Sequence, residues 1–148
     1  MKPDPDAVLG YLAGLMVQTI APQVQPQYLA GVIGMSGMLL GMAAQEWDRA
    51  ADRLVKENRA IRGLFRQAER VGLDADLAQE VRALAGGQDD DLRISALESV
   101  NTGLRAALIS LHAAVETRTD AASRALNDAI WAELSASTSR RAYTGSPF

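Results

Sequence analysis

The chain has no cysteine, a single histidine and few aromatic residues, 5% of the total. Without cysteine there is no disulfide, no thiolate zinc or iron–sulfur site and no thiol nucleophile, which suits a reducing compartment and leads to a cytoplasmic expectation. A lone histidine, His112, rules out the standard ferritin-like di-iron arrangement, which needs Glu-x-x-His on two helices; the residue three before His112 is Ile109. The scarcity of aromatic residues beside abundant Ala, Leu, Arg and Glu argues for helices over sheets.

Catalytic signatures are also missing. There is no Gly-x-Ser-x-Gly elbow and no Gly-x-x-x-x-Gly-Lys phosphate loop, and the glycine-containing stretch Gly31 to Gly37 lacks both a lysine and a preceding strand. No cofactor and no catalytic residues are assigned, and the chain reads as non-enzymatic. The candidate for a metal site is His112 with Glu116 one turn on, which would need further carboxylates such as Glu46, Glu57 or Glu98 to close a coordination shell. The plainer expectation is that His112 pairs with Glu116 at the edge of an apolar face. A formal net charge of -3, from 15 basic and 18 acidic residues, supplies no basic field for nucleic acid. The opening Met1 to Asp6 carries more acid than base, so no secretory leader is expected.

The largest absence is of charge. From Ala7 to Gln45, 39 consecutive residues include no Asp, Glu, Lys, Arg or His. Two helices are expected within it, one from about Pro5 to Ile20 and one starting near Pro26, separated by Pro22 and Pro26. On the second, Leu29, Val32, Ile33, Met35, Met38, Leu39, Leu40 and Met42 point in many directions, and a helix apolar all round is hidden all round. Gly31, Gly34, Gly37 and Gly41 form a stripe, with Gly10 and Gly14 as a pair on the first helix. Interior glycine costs about 1 kcal/mol relative to alanine, a penalty that close approach of backbones offsets.

Three readings follow. The uncharged hairpin is both core and the face by which two copies associate, with Gly31, Gly34, Met35, Gly37, Met38 and Gly41 as interface residues. Alternatively it encloses an apolar ligand such as an acyl chain, Met35, Met38 and Met42 adapting to it. Or it spans a membrane, although Tyr28 to Ala44 offers about 26 Å of helix against roughly 30 Å of hydrocarbon, without basic anchors. The first is the primary expectation: a helical interaction or assembly domain that forms a homodimer. The second is the alternative, and a metal-dependent helical enzyme using His112 is the third.

Beyond the hairpin the punctuation is regular. A helical pattern runs from Pro26 to about Val71, with a break expected between Gly41 and Glu46 because so long a helix exceeds a small domain. Gly72 ends it, Asp74 caps a short helix to Ala85, and Asp89, Asp90 and Asp91 open a helix to about Arg118. Thr119 or Asp120 caps a last helix to about Ser139. Leu97, Leu104, Leu108, Leu111 and Val115 form one seam and Trp47, Leu54, Ile61, Phe65 and Ala68 another, each with an asparagine, Asn101 and Asn58. Both asparagines open the string Asn-x-x-Ile/Leu-Arg at an offset of 43 residues, which fits an internal duplication and equally fits chance among heptad-like helices.

Seven basic residues, Arg49, Arg53, Lys56, Arg59, Arg62, Arg66 and Arg70, alternate with Glu46, Asp48, Asp52, Glu57 and Glu69. A solvated face with pairs such as Asp52 and Lys56 is expected; a phosphate-binding stripe is the sharper reading. The expected fold is all-α, an up-and-down bundle of four to five helices with a glycine-rich apolar N-terminal hairpin. It is read as a single domain over residues 1–140, followed by a flexible tail, 141–148.

Overall fold

A computed structural model of the chain describes residues 4–144. Among the described residues there are five α-helices and no strand: α1 Pro5–Gly14, α2 Gln27–Ala68, α3 Ala75–Ala85, α4 Ile94–Val115 and α5 Ala121–Arg141. The all-helical bundle is the one expected from composition. The described residues divide into two compact units, residues 4–50 with 143–144, and residues 51–142.

The first unit holds the uncharged hairpin. Pro5 occupies the first turn of α1, where its missing N–H costs nothing, and the arm continues past Gly14 as a wider π-helical stretch, Leu15–Ile20. Pro22 lies in the following short 3-10 turn, Ala21–Gln23, and Pro26 precedes α2, to which it supplies a carbonyl for Leu29 N–H. The two arms are antiparallel, since Gly41 lies by Ala13 and Gly37 by Val17. Of the expected tail, Thr144 pairs with Gln45 through both its N–H and its carbonyl, and the Tyr143 ring carries the Arg49 guanidinium 5.5 Å from its centroid. Residues 145–148 of that tail lie outside the described residues.

The break expected between Gly41 and Glu46 is absent, and α2 is unbroken from Gln27 to Ala68. Met42, Ala43, Ala44 and Gln45 all favour helix and no proline interrupts them. The length of α2 forces no break, because its residues 27–50 belong to the first unit and 51–68 to the second.

The second unit carries the hydrophobic core: Ile61, Leu64, Phe65, Leu104, Leu108, Leu111, Val115, Leu126 and Ile130 are all buried in one cluster. The expectation that the uncharged hairpin doubles as core is therefore corrected; the core forms where apolar residues recur every three or four positions between charged ones. Its helices run up and down. Asn58 meets Asn101 and Gly72 meets Arg118, so α2 and α4 are parallel; Glu57 meets Ser137, so α5 returns against α2, as α3 does where Arg66 reaches the Ala85 carbonyl. Asp74 caps α3 by accepting from the N–H groups of Asp76 and Leu77, and Asp120 caps α5 through Ser123 N–H. The α4 seam is buried throughout. The α2 seam is buried from Leu54 to Ala68, but Trp47 is 58% exposed and is not part of it.

The acidic triplet does not open α4, which begins at Ile94 with Arg93 at its cap. Asp89 turns inward instead: its carboxylate takes both terminal nitrogens of Arg62 at 2.9 Å and the Asn58 amide at 3.1 Å.

Candidate interaction surface

The hairpin arms are held by one very close approach. A Cβ built on Gly37 would come within 2.6 Å of Val17 Cγ2, 3.0 Å of the Ala13 carbonyl oxygen and 3.1 Å of Met16 Cβ. Only glycine admits that contact. At Gly41 the same construction meets Ala13 Cβ at 3.8 Å, an ordinary distance, while Gly31 and Gly34 meet nothing within 4 Å. The glycine stripe thus divides, Gly37 and Gly41 facing the first arm and Gly31 and Gly34 having open space. Met35 and Met38 are exposed.

Two substitutions read this division. Gly37→Ala gains helix propensity but forces a backbone shift, and overpacking of that kind costs about 1–3 kcal/mol, so net destabilisation of the hairpin is expected. Gly41→Ala, with room for its methyl, should instead gain about 0.4–1 kcal/mol. Thermal or denaturant unfolding followed by circular dichroism orders the two; equal effects would mean that the arms do not meet at Gly37.

With the packed side of α2 fixed, the opposite side becomes legible. Tyr28, Val32, Met35, Leu39 and Met42 are spaced by four, three, four and three residues, the spacing of a coiled-coil seam, and all five are exposed. Tyr28 is 70%, Met35 65% and Leu39 59% accessible. The stripe rises about 21 Å along the helix axis. Val8, Tyr11, Leu12, Val17 and Ile20 on the first arm are exposed as well.

The remaining candidates belong to the second unit. His112 Nε2 lies 3.0 Å from Asn127 Oδ1, and its ring meets Trp131 edge-on with centroids 5.2 Å apart. The partner is Asn127 of α5, not Glu116, because the ring faces the neighbouring helix and not along its own; Glu116 is exposed at the end of α4. Among the described residues no group of three or more His, Asp or Glu is placed to hold a metal ion.

Sequence reasoning missed the polar hub of this unit. Glu57, expected on a solvated face, is fully buried. Its carboxylate accepts from Arg141 Nη2 at 2.6 Å, Arg141 Nε at 3.1 Å, Ser137 Oγ at 3.0 Å and Asn101 Nδ2 at 3.4 Å, with Arg105 Nη1 4.0 Å away. Burial alone would push this carboxyl up, but the Arg141 and Ser137 hydrogen bonds and the nearby positive charges outweigh it and hold it below the ordinary carboxylate range. Glu133, paired with Arg140, goes the other way: burial raises it, the Arg140 contact offsets only part, and the Glu57 charge adds to the rise. Asn58 and Asn101, the two seam asparagines, hydrogen-bond to one another at 2.9 Å, and Asp52 pairs with Lys56 at 2.7 Å as expected. The signal for Glu57 was its position beside Asn58, three residues after Leu54 and four before Ile61, on the buried flank of the seam.

Comparison with protein-family models, curated proteins and solved structures yields no match. The surface has to be read from its own chemistry.

Proposed function

We propose that the chain is a non-enzymatic helical assembly module that associates with a second copy of itself through the uncharged hairpin. The observation that carries this reading is the exposed stripe Tyr28, Val32, Met35, Leu39 and Met42. A heptad-spaced stripe accepts another helix, since each side chain enters a hole between four facing ones. The absence of charge favours a copy of the same surface as that helix: in a two-fold interface each residue faces its own equivalent or a near neighbour, and neutral side chains meet there without like-charge repulsion. Met35 and Met38 adapt to such a partner, and Gly31, with open space, lets a partner backbone come near.

The test is sedimentation equilibrium in detergent-free buffer, comparing the wild type with a Met35→Lys, Leu39→Lys double variant. The wild type is expected as a dimer and the variant as a monomer of unchanged helicity, because both positions are exposed within the single chain and surface changes cost within about 0.5 kcal/mol. A monomeric wild type well above micromolar concentration, or a variant that still dimerises, overturns the proposal.

One observation favours a second reading. Helix α2 contains an 18-residue window long and apolar enough to cross a membrane, with only 6% of it buried. Flotation with neutral phosphatidylcholine vesicles separates the two: a chain that floats with the vesicles and is monomeric without them inserts its hairpin into lipid. A dimer that stays in the aqueous layer associates through it.

A further inference from the structure

Arg59, Arg62 and Arg66 recur at three- and four-residue spacing and so share one face of α2. Opposite them lies the Gly86–Asp89 turn that follows α3. Together they line a cleft of about 280 Å³, with Gly87, Gln88 and Asp89 on the far wall. Three guanidinium groups face one carboxylate there, leaving an excess of two positive charges.

The donors are only partly used. Asp89 occupies both terminal nitrogens of Arg62, at 2.9 Å each. Arg62 is only 7% exposed, and its Nε–H is buried with no hydrogen-bond partner. A buried unpartnered donor on a cation costs free energy unless something accepts from it. Arg66 spends one nitrogen on the Ala85 carbonyl at 3.2 Å, and Arg59 is exposed beside them. Across from Arg62 stands Gly87, where a Cβ would come within 3.5 Å of Arg62 Nε and 3.6 Å of its Nη2. Without a side chain at Gly87, the turn lies close against that donor.

We infer that this cleft binds a phosphoryl group, as inorganic phosphate or as the phosphate of a small monoester. A phosphoryl dianion balances the charge excess, and its three oxygens suit arginine forks better than a single carboxylate would. The volume, slightly below the usual range for ligand sites of roughly 300–1,000 Å³, matches a phosphoryl group or a small monoester. The site lies wholly within the second unit and does not depend on how the hairpin is covered.

The experiment is isothermal titration calorimetry of the full chain with inorganic phosphate and, separately, glycerol 3-phosphate, at constant ionic strength. Saturable one-site binding is expected, weakened at least tenfold in the Arg59→Gln, Arg66→Gln double variant. Both positions are exposed, and an unchanged melting curve shows that the fold is retained. Asp89→Asn, which removes the competing carboxylate, should tighten binding, the opposite of what general loosening would do. Binding should weaken as pH falls through the second pKa of the probe, about 6 for a monoester and higher for inorganic phosphate, whereas sulfate, a dianion throughout, should not follow that change. Equal affinity for both probes assigns the site to the phosphate alone, and preference for glycerol 3-phosphate assigns it to a monoester. Absence of saturable binding by either, or binding indifferent to the double variant, overturns the inference.

Discussion

An Arg141→Met variant is expected to lose about 3–5 kcal/mol of unfolding free energy at neutral pH, because it strands a fully buried carboxylate. Glu57 would keep Ser137 and the Asn101 amide but lose its two shortest charged hydrogen bonds. The reciprocal change is milder. In Glu57→Gln the stranded partner is Arg141, whose side chain is 45% exposed and can return to water. Urea unfolding of the two variants checks the asymmetry, and similar losses would mean that the pair matters only as a contact. The pH dependence gives a second reading. In the wild type the folded carboxyl of Glu57 sits below its ordinary value of 4.5, so its contribution is complete above that value and is lost as pH falls through the lowered one. Without Arg141, burial is opposed only by the Ser137 hydrogen bond and the remaining positive charges, so the folded carboxyl moves up and less stabilisation is present above the ordinary value. The wild-type and variant stability curves should therefore converge in acid. Glu133, already raised in the wild type, contributes with the second sign: its stabilisation is present below 4.5 and is lost as pH rises through its raised value.

The residues that define this hub show what could be read from sequence. Leu97, Leu104, Leu108, Leu111 and Val115 announced a buried face by spacing alone, and the seam asparagines by interrupting it; Asp74 and Asp120 announced caps by preceding periodic runs. Those features are local, and local periodicity is enough to place them. Glu57 and Asp89 were misjudged because their partners, Arg141 and Arg62, lie 84 and 27 residues away. A charged residue on a helix next to several others reads as solvated until the topology brings a distant arginine to it. Arg59, Arg62 and Arg66 were visible as a stripe and Gly86 and Gly87 as a helix stop, but Asp89, which closes the cleft, was expected to begin a helix. The hairpin posed a different difficulty. With apolar residues on every side, its sequence does not separate the packed face from the exposed one; only the contact at Gly37 divides them, and the Tyr28 to Met42 stripe then follows.

That division sets up the comparison between Phe65→Ala and Met35→Ala. Phe65 is completely buried in the four-helix core and its truncation leaves a cavity, so a loss of about 3–5 kcal/mol is expected at every protein concentration. Met35 touches little of its own chain, and in a monomer its truncation should change stability by less than about 0.5 kcal/mol. If the stripe is covered by a second copy, the Met35→Ala loss instead grows toward that of a core methionine, about 2–5 kcal/mol, and does so only at concentrations where the dimer is populated. Dilution then distinguishes the two sites without any structure of the assembly: the midpoint shift caused by Phe65→Ala stays constant, while that caused by Met35→Ala vanishes. A Met35→Ala effect that is small at all concentrations would leave the exposed stripe without a second copy to bury it.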